Sequence, residues 1–318
     1  MDYDPLSSRR NFLRTTLGGT AALGLASRFG IGAAIAAPAQ MGTRALGRTG
    51  HQVRLFSLGG QATLEKEGKT DEALKIIDTA IDLGVNYIDT AAAYGGGISE
   101  RNIGMIMRSR RDQVYLASKT HDRSYDGSMR LLEKSLIQLQ TDHLDAWQLH
   151  RISTEDDLER VFAKDGAIKA LEKAREQKMV RFAGLTGHSN PFVLKTAIQR
   201  YDFDTILVAL NAADRHHLSF IDNLLPTAVE KQMGIIAMKV VARGRIFHEG
   251  GLTSMEQAMR YVLTLPVSTA IVGISNLAEL QEDVQIARDF LPYSAEQMQH
   301  LEELTKPYYT DATWFKDK

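Results

Sequence analysis

The sequence contains no cysteine. It therefore excludes disulfide bonds, iron–sulfur clusters held by thiolates, zinc sites built on cysteine, and a cysteine nucleophile. This absence indicates no compartment, because a chain without thiols suits oxidising and reducing surroundings equally. An excess of charge of one sign is also missing: 38 Lys and Arg oppose 39 Asp and Glu, for a formal net charge of −1. Without a global basic field, no nucleic-acid partner is expected.

Long hydrophobic runs are absent as well, and the first forty residues come nearest to one. Arg9 and Arg10 are followed by Phe-Leu and by a short, weakly apolar stretch that Arg28 interrupts before small residues end at Ala36 or Ala39. This order resembles a twin-arginine (Tat) export signal, cleaved after Ala36 or Ala39. The alternative is a disordered, basic N-terminus that happens to contain an Arg pair.

The signal hypothesis divides the chain into a signal peptide, residues 1–39, and one mature domain, residues 40–318. It predicts the Tat export machinery as a partner and a periplasmic location. The apolar stretch of the leader is too short to span a bilayer as a helix, so no stable membrane anchor is expected.

In the remainder of the chain, short apolar segments alternate with amphipathic segments about eight times. The apolar segments are mostly continuous, as expected for parallel strands buried on both faces. The predicted strands are Leu55–Leu58, Asn86–Asp89, Val114–Ser118, Leu144–Leu149, Arg181–Leu185, Thr205–Leu210, Gly234–Met238 and Ala270–Gly273. The predicted helices are Asp71–Leu83, Ser99–Met107, Ser128–Leu139, Ile168–Gln177, Pro191–Gln199, Phe220–Lys231, Ser254–Thr264 and Leu277–Ala287.

Eight strand–helix units in one domain favour an α/β fold in which a single (β/α)₈ TIM barrel closes on itself. Residues 44–54 predict a short N-terminal β-hairpin before the first barrel strand. The competing open-sheet fold would need a glycine fingerprint after a strand, and Gly95–Gly97 lacks its spacing.

A barrel of this kind carries its chemistry at the C-terminal ends of its strands, and three strand ends and one loop bring Asp89, Tyr94, Lys119 and His150 to that rim. A tyrosine with a pKa of ~10 is a weak acid at neutral pH, and a nearby ammonium should lower that pKa. Asp89 would hold Lys119 in place, and His150 would donate a hydrogen bond to a carbonyl oxygen. Such a site would protonate an alkoxide as a hydride reaches the carbonyl carbon.

The same residues lie in motifs that resemble the aldo-keto reductase superfamily over nearly all of the mature chain. The matching stretches are GVNYIDTAAAYGGGISE (84–100), LASKT (116–120), LDAWQLH (144–150), GLTGHSNP (184–191), GIIAMKVVARG (234–244) and IVGISNLAELQEDV (271–284). The resemblance implies a (β/α)₈ barrel that reduces aldehydes and ketones with NADPH or NADH. It assigns the family's catalytic tetrad to Asp89, Tyr94, Lys119 and His150.

The resemblance is weaker for the cofactor contacts. Where the family has a Ser-Asn pair, a Gln and a stacking Tyr, this chain has Thr186-Gly187, Leu207 and Met238. Backbone N–H groups at the start of the last helix are expected to meet a phosphate of the cofactor. The predicted cofactor contacts are Thr186, Gly187, Asn211, Met238, Lys239, Arg243, Gly273, Ser275, Asn276 and Glu279.

One of these residues bears on the choice of nucleotide. Glu279 occupies the position at which many NADPH-using members of the family present an Arg to the 2′-phosphate, and no Lys or Arg lies between Arg260 and Arg288. A carboxylate would repel that phosphate but accept hydrogen bonds from a ribose hydroxyl. The hypothesis is a preference for NADH or weak discrimination, and the alternative is that Glu279 is a solvated helix residue.

The segment Asp214–His217 has two adjacent histidines, a pattern that could suggest a metal site. They have no third ligand at a suitable spacing, so no metal is expected there, and the segment is interpreted as a substrate-side loop. The predicted function is thus NAD(P)H-dependent reduction of a small-molecule carbonyl substrate. Two alternatives stay open: a nucleotide-binding sensor or partner subunit with negligible turnover, and a non-redox barrel lyase.

Overall fold

The computed structural model describes residues 40–317, and the predicted export signal, residues 1–39, lies outside them. An antiparallel hairpin comes first, formed by β1 (Thr43–Ala45) and β2 (Gln52–Arg54). Eight parallel strands follow and close into a barrel in chain order, with the last strand pairing with the first. They are β3 (Phe56–Gly59), β4 (Tyr87–Asp89), β5 (Tyr115–Thr120), β6 (Leu144–Leu149), β7 (Val180–Gly187), β8 (Thr205–Ala209), β9 (Gly234–Met238) and β10 (Thr269–Gly273).

The predicted fold class, a single (β/α)₈ barrel preceded by a short hairpin, is confirmed. Helices surround the strands, and several begin at a side-chain cap, such as Ser124 accepting from Gly127 N before α3. They are α1 (Thr70–Asp82), α2 (Ile98–Arg110), α3 (Tyr125–Leu139), α4 (Glu155–Val161), α5 (Ala167–Glu176), α6 (Pro191–Arg200), α7 (Phe220–Asn223), α8 (Leu225–Glu230), α9 (Met255–Thr264), α10 (Leu277–Arg288), α11 (Ala295–Thr305) and α12 (Tyr309–Ala312).

The hairpin closes the N-terminal end of the barrel. Leu46 and Val53 are buried in one apolar cluster with Tyr87 and Tyr115 of the barrel interior. Gly47, at the hairpin turn, has a φ of 52°, and a Cβ there would lie 2.2 Å from the backbone N of Gly234. With this end filled, the opposite rim is where a ligand can enter.

The prediction of one continuous helix at Phe220–Lys231 is wrong. Residues 220–231 form two short helices, α7 and α8, which meet at Leu224. Pro226 stands in the first turn of α8 and has no N–H with which to continue the ladder from α7, so the helix breaks before it.

The C-terminal part of the barrel domain was not predicted in detail. Residues 295–317 form α11, α12 and a terminal 3₁₀ turn, Trp314–Asp317, which packs against the loop after β8. Within residues 40–317, no helix is long and apolar enough to cross a membrane.

Candidate active site at the C-terminal rim of the barrel

A buried ion pair joins two neighbouring strands at the rim. Asp89 ends β4, and Lys119 is the last residue but one of β5. Lys119 Nζ donates to Asp89 Oδ2 (2.5 Å) and to the carbonyl oxygen of Thr90 (2.6 Å). The side chains of Lys119 and Asp89 are only 1% and 4% exposed. The ammonium is therefore held in one position by two acceptors, in surroundings where its charge is weakly screened.

Burial dominates the protonation equilibria of this pair. It raises the pKa of Asp89 and lowers the pKa of Lys119, and in each case the charge of the partner opposes the shift. Asp89 Oδ1 is buried and has no hydrogen-bond partner among the residues the structure describes. Asp89 Oδ2 thus fixes the ammonium of Lys119, while Oδ1 can still accept a hydrogen bond.

Tyr94 lies in the loop after β4, at the start of a 3₁₀ turn, Tyr94–Gly97. The three glycines that follow it, Gly95–Gly97, all have positive φ, a conformation in which a side chain with a Cβ is strained. The turn places the Tyr94 ring 5.0 Å from Lys119 Nζ, measured to the ring centroid, and 5.8 Å from the ring centroid of His150 in an edge-to-face arrangement. The structure therefore brings Asp89, Tyr94, Lys119 and His150 together.

The protonation state of Tyr94 differs from the sequence-based expectation. Burial raises the pKa of Tyr94 well above its usual value, with further increases from the carboxylates of Asp89 and Glu65 and a smaller opposing effect from Arg243 and Arg151. The expected lowering by Lys119 is wrong as the net direction, because desolvation of the phenolate outweighs the nearby cations. Tyr94 is consequently a neutral phenol at pH 7, which is the form that can give up a proton.

His150 follows β6 and is buried at the rim. Burial lowers the pKa of His150 well below its usual value, and the charges of Lys119 and Arg151 lower it further. The imidazole is therefore neutral at pH 7 and carries one N–H. Two hydrogen bonds fix the backbone of His150. The backbone N–H donates to Thr120 O (2.8 Å), and the backbone carbonyl oxygen accepts from Arg123 Nη1 (2.9 Å).

A cavity of about 470 Å³ opens beside Asp89 and Tyr94. It runs past the ends of β8, β9, β10 and β3, and its floor includes Leu207, Met238 and Ile271. Six of the predicted cofactor contacts line it: Met238, Lys239, Arg243, Gly273, Ser275 and Glu279.

The other four predicted cofactor contacts do not line this cavity, and they stabilise neighbouring loops and a helix end. Thr186 Oγ1 accepts from Arg151 N (2.9 Å), and Gly187 leaves no room for a Cβ, which would lie 2.6 Å from Leu194 Cδ1. Asn211 Nδ2 donates to Ala312 O (3.1 Å), while Asn276 Oδ1 accepts from Glu279 N (3.1 Å) as the N-cap of α10. As cofactor contacts, all ten residues stay predictions.

Two cations on the loop after β9 line the cavity, and the backbone at both positions is strained. Lys239 and Arg243 both have a φ of 59°, a value that residues with a Cβ rarely adopt. Burial lowers the pKa of Lys239 to about 8, helped by the charge of Arg243 and opposed by Glu65. Because the two positive charges repel each other, an anion bound beside them would stabilise both, so they suit a phosphate-bearing ligand.

Sequence reasoning missed several residues of the site. Gln61, Glu65 and Lys66 line the cavity from the short loop after β3, where an isolated polar run carries no recognisable motif. His188, just after β7, packs edge-on against Phe315 at 6.5 Å between ring centroids. The position of His188 at a strand end was the signal that could have identified it.

The segment Asp214–His217 ties down the C-terminal turn. Asp214 Oδ1 accepts from Lys316 Nζ (2.5 Å) in a fully buried ion pair, and His217 Nε2 lies 3.1 Å from Asp317 Oδ1. Among residues 40–317, no group of three or more His, Asp or Glu side chains is arranged to hold a metal ion.

A closed (β/α)₈ barrel thus carries a Lys–Asp pair, a tyrosine and a neutral histidine beside a rim cavity, an arrangement suited to proton transfer next to a bound ligand. The chain belongs to the aldo/keto reductase family, whose sequence profile matches residues 55–250. The oxidoreductase YqkF of Bacillus subtilis (strain 168) is 27% identical over 293 residues, covering 78% of this chain and 91% of that protein.

Solved structures agree with this assignment. The aldo-keto reductase AKR11C1 from Bacillus halodurans, in its holo form, is 26% identical with a TM-score of 0.70, covering 83% of this chain and 96% of that chain. An aldo-keto reductase from Klebsiella pneumoniae in complex with NADPH is 22% identical with a TM-score of 0.67, covering 84% and 95%, and shows the shared fold.

Proposed function

We propose that the protein reduces an aldehyde or ketone to an alcohol with NADPH or NADH, and that Tyr94 is the proton donor. The observation that carries this proposal is the position of a neutral Tyr94 beside the buried Lys119–Asp89 pair, at the end of the rim cavity. Family membership supports the reaction class.

The residues that line the cavity suit the chemical parts of a nicotinamide dinucleotide. Its apolar floor, with Leu207, Met238 and Ile271, suits a flat ring next to Tyr94. Lys239 and Arg243 suit a pyrophosphate, and Ser275 and Glu279, at the N-terminus of α10, also line the wall. When bound, the reduced nucleotide supplies the hydride.

The residues of the rim then have distinct tasks. Tyr94 gives its proton to the oxygen of the substrate carbonyl as negative charge develops there. Lys119, fixed by Asp89, stabilises the phenolate that Tyr94 becomes, so the high pKa that favours the neutral phenol at rest is offset during the reaction. His150, neutral and held by its backbone, donates its N–H to the same oxygen and orients it.

The proposal is tested with Tyr94→Phe, which removes one hydroxyl from a half-buried ring and should leave folding and nucleotide binding intact. Turnover of a panel of aldehydes should fall by about 10²- to 10⁴-fold, the usual contribution of general acid catalysis. Tyr293→Phe, on the partly exposed ring that contacts Arg260, is the matched control.

Three results would contradict the assignment. A Tyr94→Phe variant that reduces aldehydes at nearly the wild-type rate would exclude Tyr94 as the donor. A wild-type protein that binds NADH or NADPH in a fluorescence titration but turns over no aldehyde would favour a nucleotide-binding sensor or partner subunit, and one that binds neither would favour a non-redox lyase.

We also propose that the protein leaves the cytoplasm through the Tat pathway and acts in the periplasm. The support is the order of features in residues 1–39, with Arg9 and Arg10 followed by a weakly apolar stretch and small residues at Ala36 and Ala39. A pathway that exports folded proteins would allow the nucleotide to be loaded before export.

A further inference from the structure

The C-terminal turn, Trp314–Asp317, packs against the loop that follows β9. Phe315 is buried in one apolar cluster with Ala242 of this loop, and the half-buried ring of Trp314 packs against the same cluster. Arg243, the next residue of the loop, lines the rim cavity. The C-terminal turn therefore supports a segment that forms part of the cavity wall.

Trp314 lies beside two arginines of this loop. The centroid of its ring is 5.7 Å from Arg243 Cζ and 5.2 Å from Arg245 Cζ. A guanidinium within about 6 Å of an aromatic ring is attracted by the negative charge of the ring face, and tryptophan gives the strongest attraction of this kind. Of the two arginines, Arg243 lines the cavity and Arg245 does not. Trp314 thus contacts one cation that a ligand in the cavity can reach and one that it cannot.

A buried ion pair anchors the other end of the turn. Lys316 Nζ donates to Asp214 Oδ1 (2.5 Å) and to the backbone carbonyl oxygens of His217 (2.7 Å) and Leu218 (3.1 Å). The side chains of Lys316 and Asp214 are 0% and 1% exposed. Because the chain is fixed to the loop after β8 two residues beyond Trp314, the indole has a support that is independent of the arginines.

Asn211 provides a second link between the C-terminal segment and the loop after β9. Its Nδ2 donates to the backbone carbonyl oxygen of Ala312 (3.1 Å) and to that of Lys239 (3.4 Å). The loop is therefore held at both of the cations that line the cavity. Lys239 is held through its backbone, and Arg243 is held through its side chain.

The loop depends on such support because its backbone is strained. Lys239, Ala242 and Arg243 have φ values of 59°, 47° and 59°, in the left-handed region that favours glycine. Residues with a Cβ keep this conformation only where the surrounding contacts fix it. The indole attracts the charge of Arg243 without accepting an ordinary hydrogen bond, since its N–H is a donor only, so the donors of the guanidinium can still bind a phosphate.

We infer that Trp314 is a positioning residue for the nucleotide, because it holds Arg243 where the guanidinium can bind the pyrophosphate. This inference rests on the proposed use of NADPH or NADH. It makes the C-terminal turn part of the binding apparatus, although Trp314 itself does not line the cavity. A nucleotide that binds Arg243 also changes the surroundings of the indole, so the fluorescence of Trp314 should respond to nucleotide binding.

The first test is calorimetric titration of the wild type, Trp314→Phe and Trp314→Leu with NADP⁺ and NAD⁺. Trp314→Leu removes the ring and should weaken binding by about 2- to 5-fold, the range for a cation–π contact near solvent. Trp314→Phe keeps a weaker aromatic ring, so its affinity should lie between the other two. Tyr293→Leu is the matched control, because it removes a partly exposed ring that contacts Arg260 at 4.2 Å and does not line the cavity.

A double-mutant cycle separates the positioning of Arg243 from a general loss of packing. Arg243→Gln alone should weaken binding by about 10- to 100-fold, the range for one lost charge-assisted hydrogen bond. In that background Trp314→Leu should have little further effect, because the ring has no cavity-lining cation left to hold. Arg245→Gln changes the other contact of the same ring and should weaken binding less than Arg243→Gln.

Trp314 also gives a spectroscopic readout that does not depend on turnover. The chain has two tryptophans, and the other, Trp147, is fully buried. The difference in emission between the wild type and Trp314→Phe isolates the signal of Trp314. Oxidised nucleotides do not accept energy from tryptophan, so a change caused by NADP⁺ reports the surroundings of the indole. This change should saturate at the calorimetric dissociation constant and should be lost in Arg243→Gln.

The outcomes separate this inference from the proposed function. Equal nucleotide affinity in the wild type and Trp314→Leu, or a loss that persists in full in the Arg243→Gln background, overturns the positioning role while carbonyl reduction stands. Should Trp314→Leu fail to fold, Trp314→Phe gives the same comparison, and a Trp314 emission that stays constant as nucleotide binds overturns the inference. Binding that depends on Trp314, with no aldehyde reduced, overturns the reductase proposal and supports the inference. A wild type that binds neither nucleotide overturns both.

Discussion

Replacement of Asp89 by Asn would remove one charge from the buried ion pair that anchors the site. Lys119 Nζ would keep the carbonyl oxygen of Thr90 at 2.6 Å and gain a neutral amide oxygen in place of the carboxylate at 2.5 Å. Because the Lys119 side chain is 1% exposed, solvent cannot take over the role of the carboxylate. The ammonium would be left as an uncompensated buried charge.

Two effects set the size of the loss in stability. Breaking a buried pair by removing one partner typically costs about 3–5 kcal/mol. The loss also has an upper limit, since Lys119 can release its proton instead of staying charged. For a lysine with an ordinary pKa of about 10.4, that release costs about 5 kcal/mol at pH 7 and about 2 kcal/mol at pH 9.

The Asp89→Asn variant should therefore lose about 3–5 kcal/mol at pH 7 and only about 2 kcal/mol at pH 9, relative to wild type at the same pH. The direction follows from proton binding: in the variant the unfolded chain holds the lysine proton and the folded chain has lost it, so stability rises with pH. Burial already lowers the pKa of Lys119 in the wild type, which is the direction this argument needs.

The measurement is urea-induced unfolding at pH 7 and pH 9, followed by far-UV circular dichroism and by intrinsic fluorescence, with coincident transitions required. Asp145→Asn is the control, because Asp145 is equally buried but is paired with Arg111 and Arg181 at 2.8 Å each. Arginine cannot release its proton in this range, so the loss from that variant should not shrink at pH 9. A loss from Asp89→Asn below about 1 kcal/mol, or one that does not change with pH, would refute the reasoning.

The other predictions concern the nucleotide and the export signal. Glu279 lines the cavity and its carboxylate accepts from Ser275 N (2.9 Å), so Glu279→Arg should move the ratio of dissociation constants for NADH and NADPH towards NADPH, with Glu279→Gln as the control that keeps an acceptor. The hypothesis is that the wild type prefers NADH or discriminates weakly. A wild type that binds NADPH about tenfold more tightly than NADH, a difference of about 1.4 kcal/mol, would contradict it. Replacing both Arg9 and Arg10 by Lys should retain the protein in the cytoplasm, and unchanged export on fractionation would rule out the Tat hypothesis.

The sequence was sufficient to predict the barrel fold and the location of four polar residues at its rim. Strand ends can be read from apolar runs, and a parallel barrel brings all such ends to one face, so Asp89, Lys119 and His150 were predicted to meet without knowledge of any contact. Tyr94 was identified from its own motif. The direction of its pKa shift was not predicted, because desolvation depends on how many atoms surround the hydroxyl.

The walls of the cavity could be predicted only in part. Met238 ends β9, Lys239 and Arg243 lie in the loop after it, and all three line the cavity. Thr186 lies near the end of β7 and Asn211 just after β8, yet their side chains bind Arg151 N and Ala312 O. Which backbone group a loop side chain satisfies depends on distant segments, and Ala312 lies 101 positions from Asn211.

Three cations around the rim share a backbone conformation that their side chains disfavour. Arg151, Lys239 and Arg243 have φ values of 54°, 59° and 59°, where glycine would be free of strain. Strain of about 1 kcal/mol or more at each position persists only where the surrounding contacts fix the loop, as Arg123 and Thr186 do for Arg151. A glycine would relieve the strain but would remove the charge, so each position keeps a cation in a backbone conformation that glycine adopts more easily. The positive charges of Arg151 and Arg243 act on the neutral phenol of Tyr94, and that of Arg151 also acts on the neutral imidazole of His150. Positive charge at this rim would stabilise an oxygen that becomes negative in the proposed reduction.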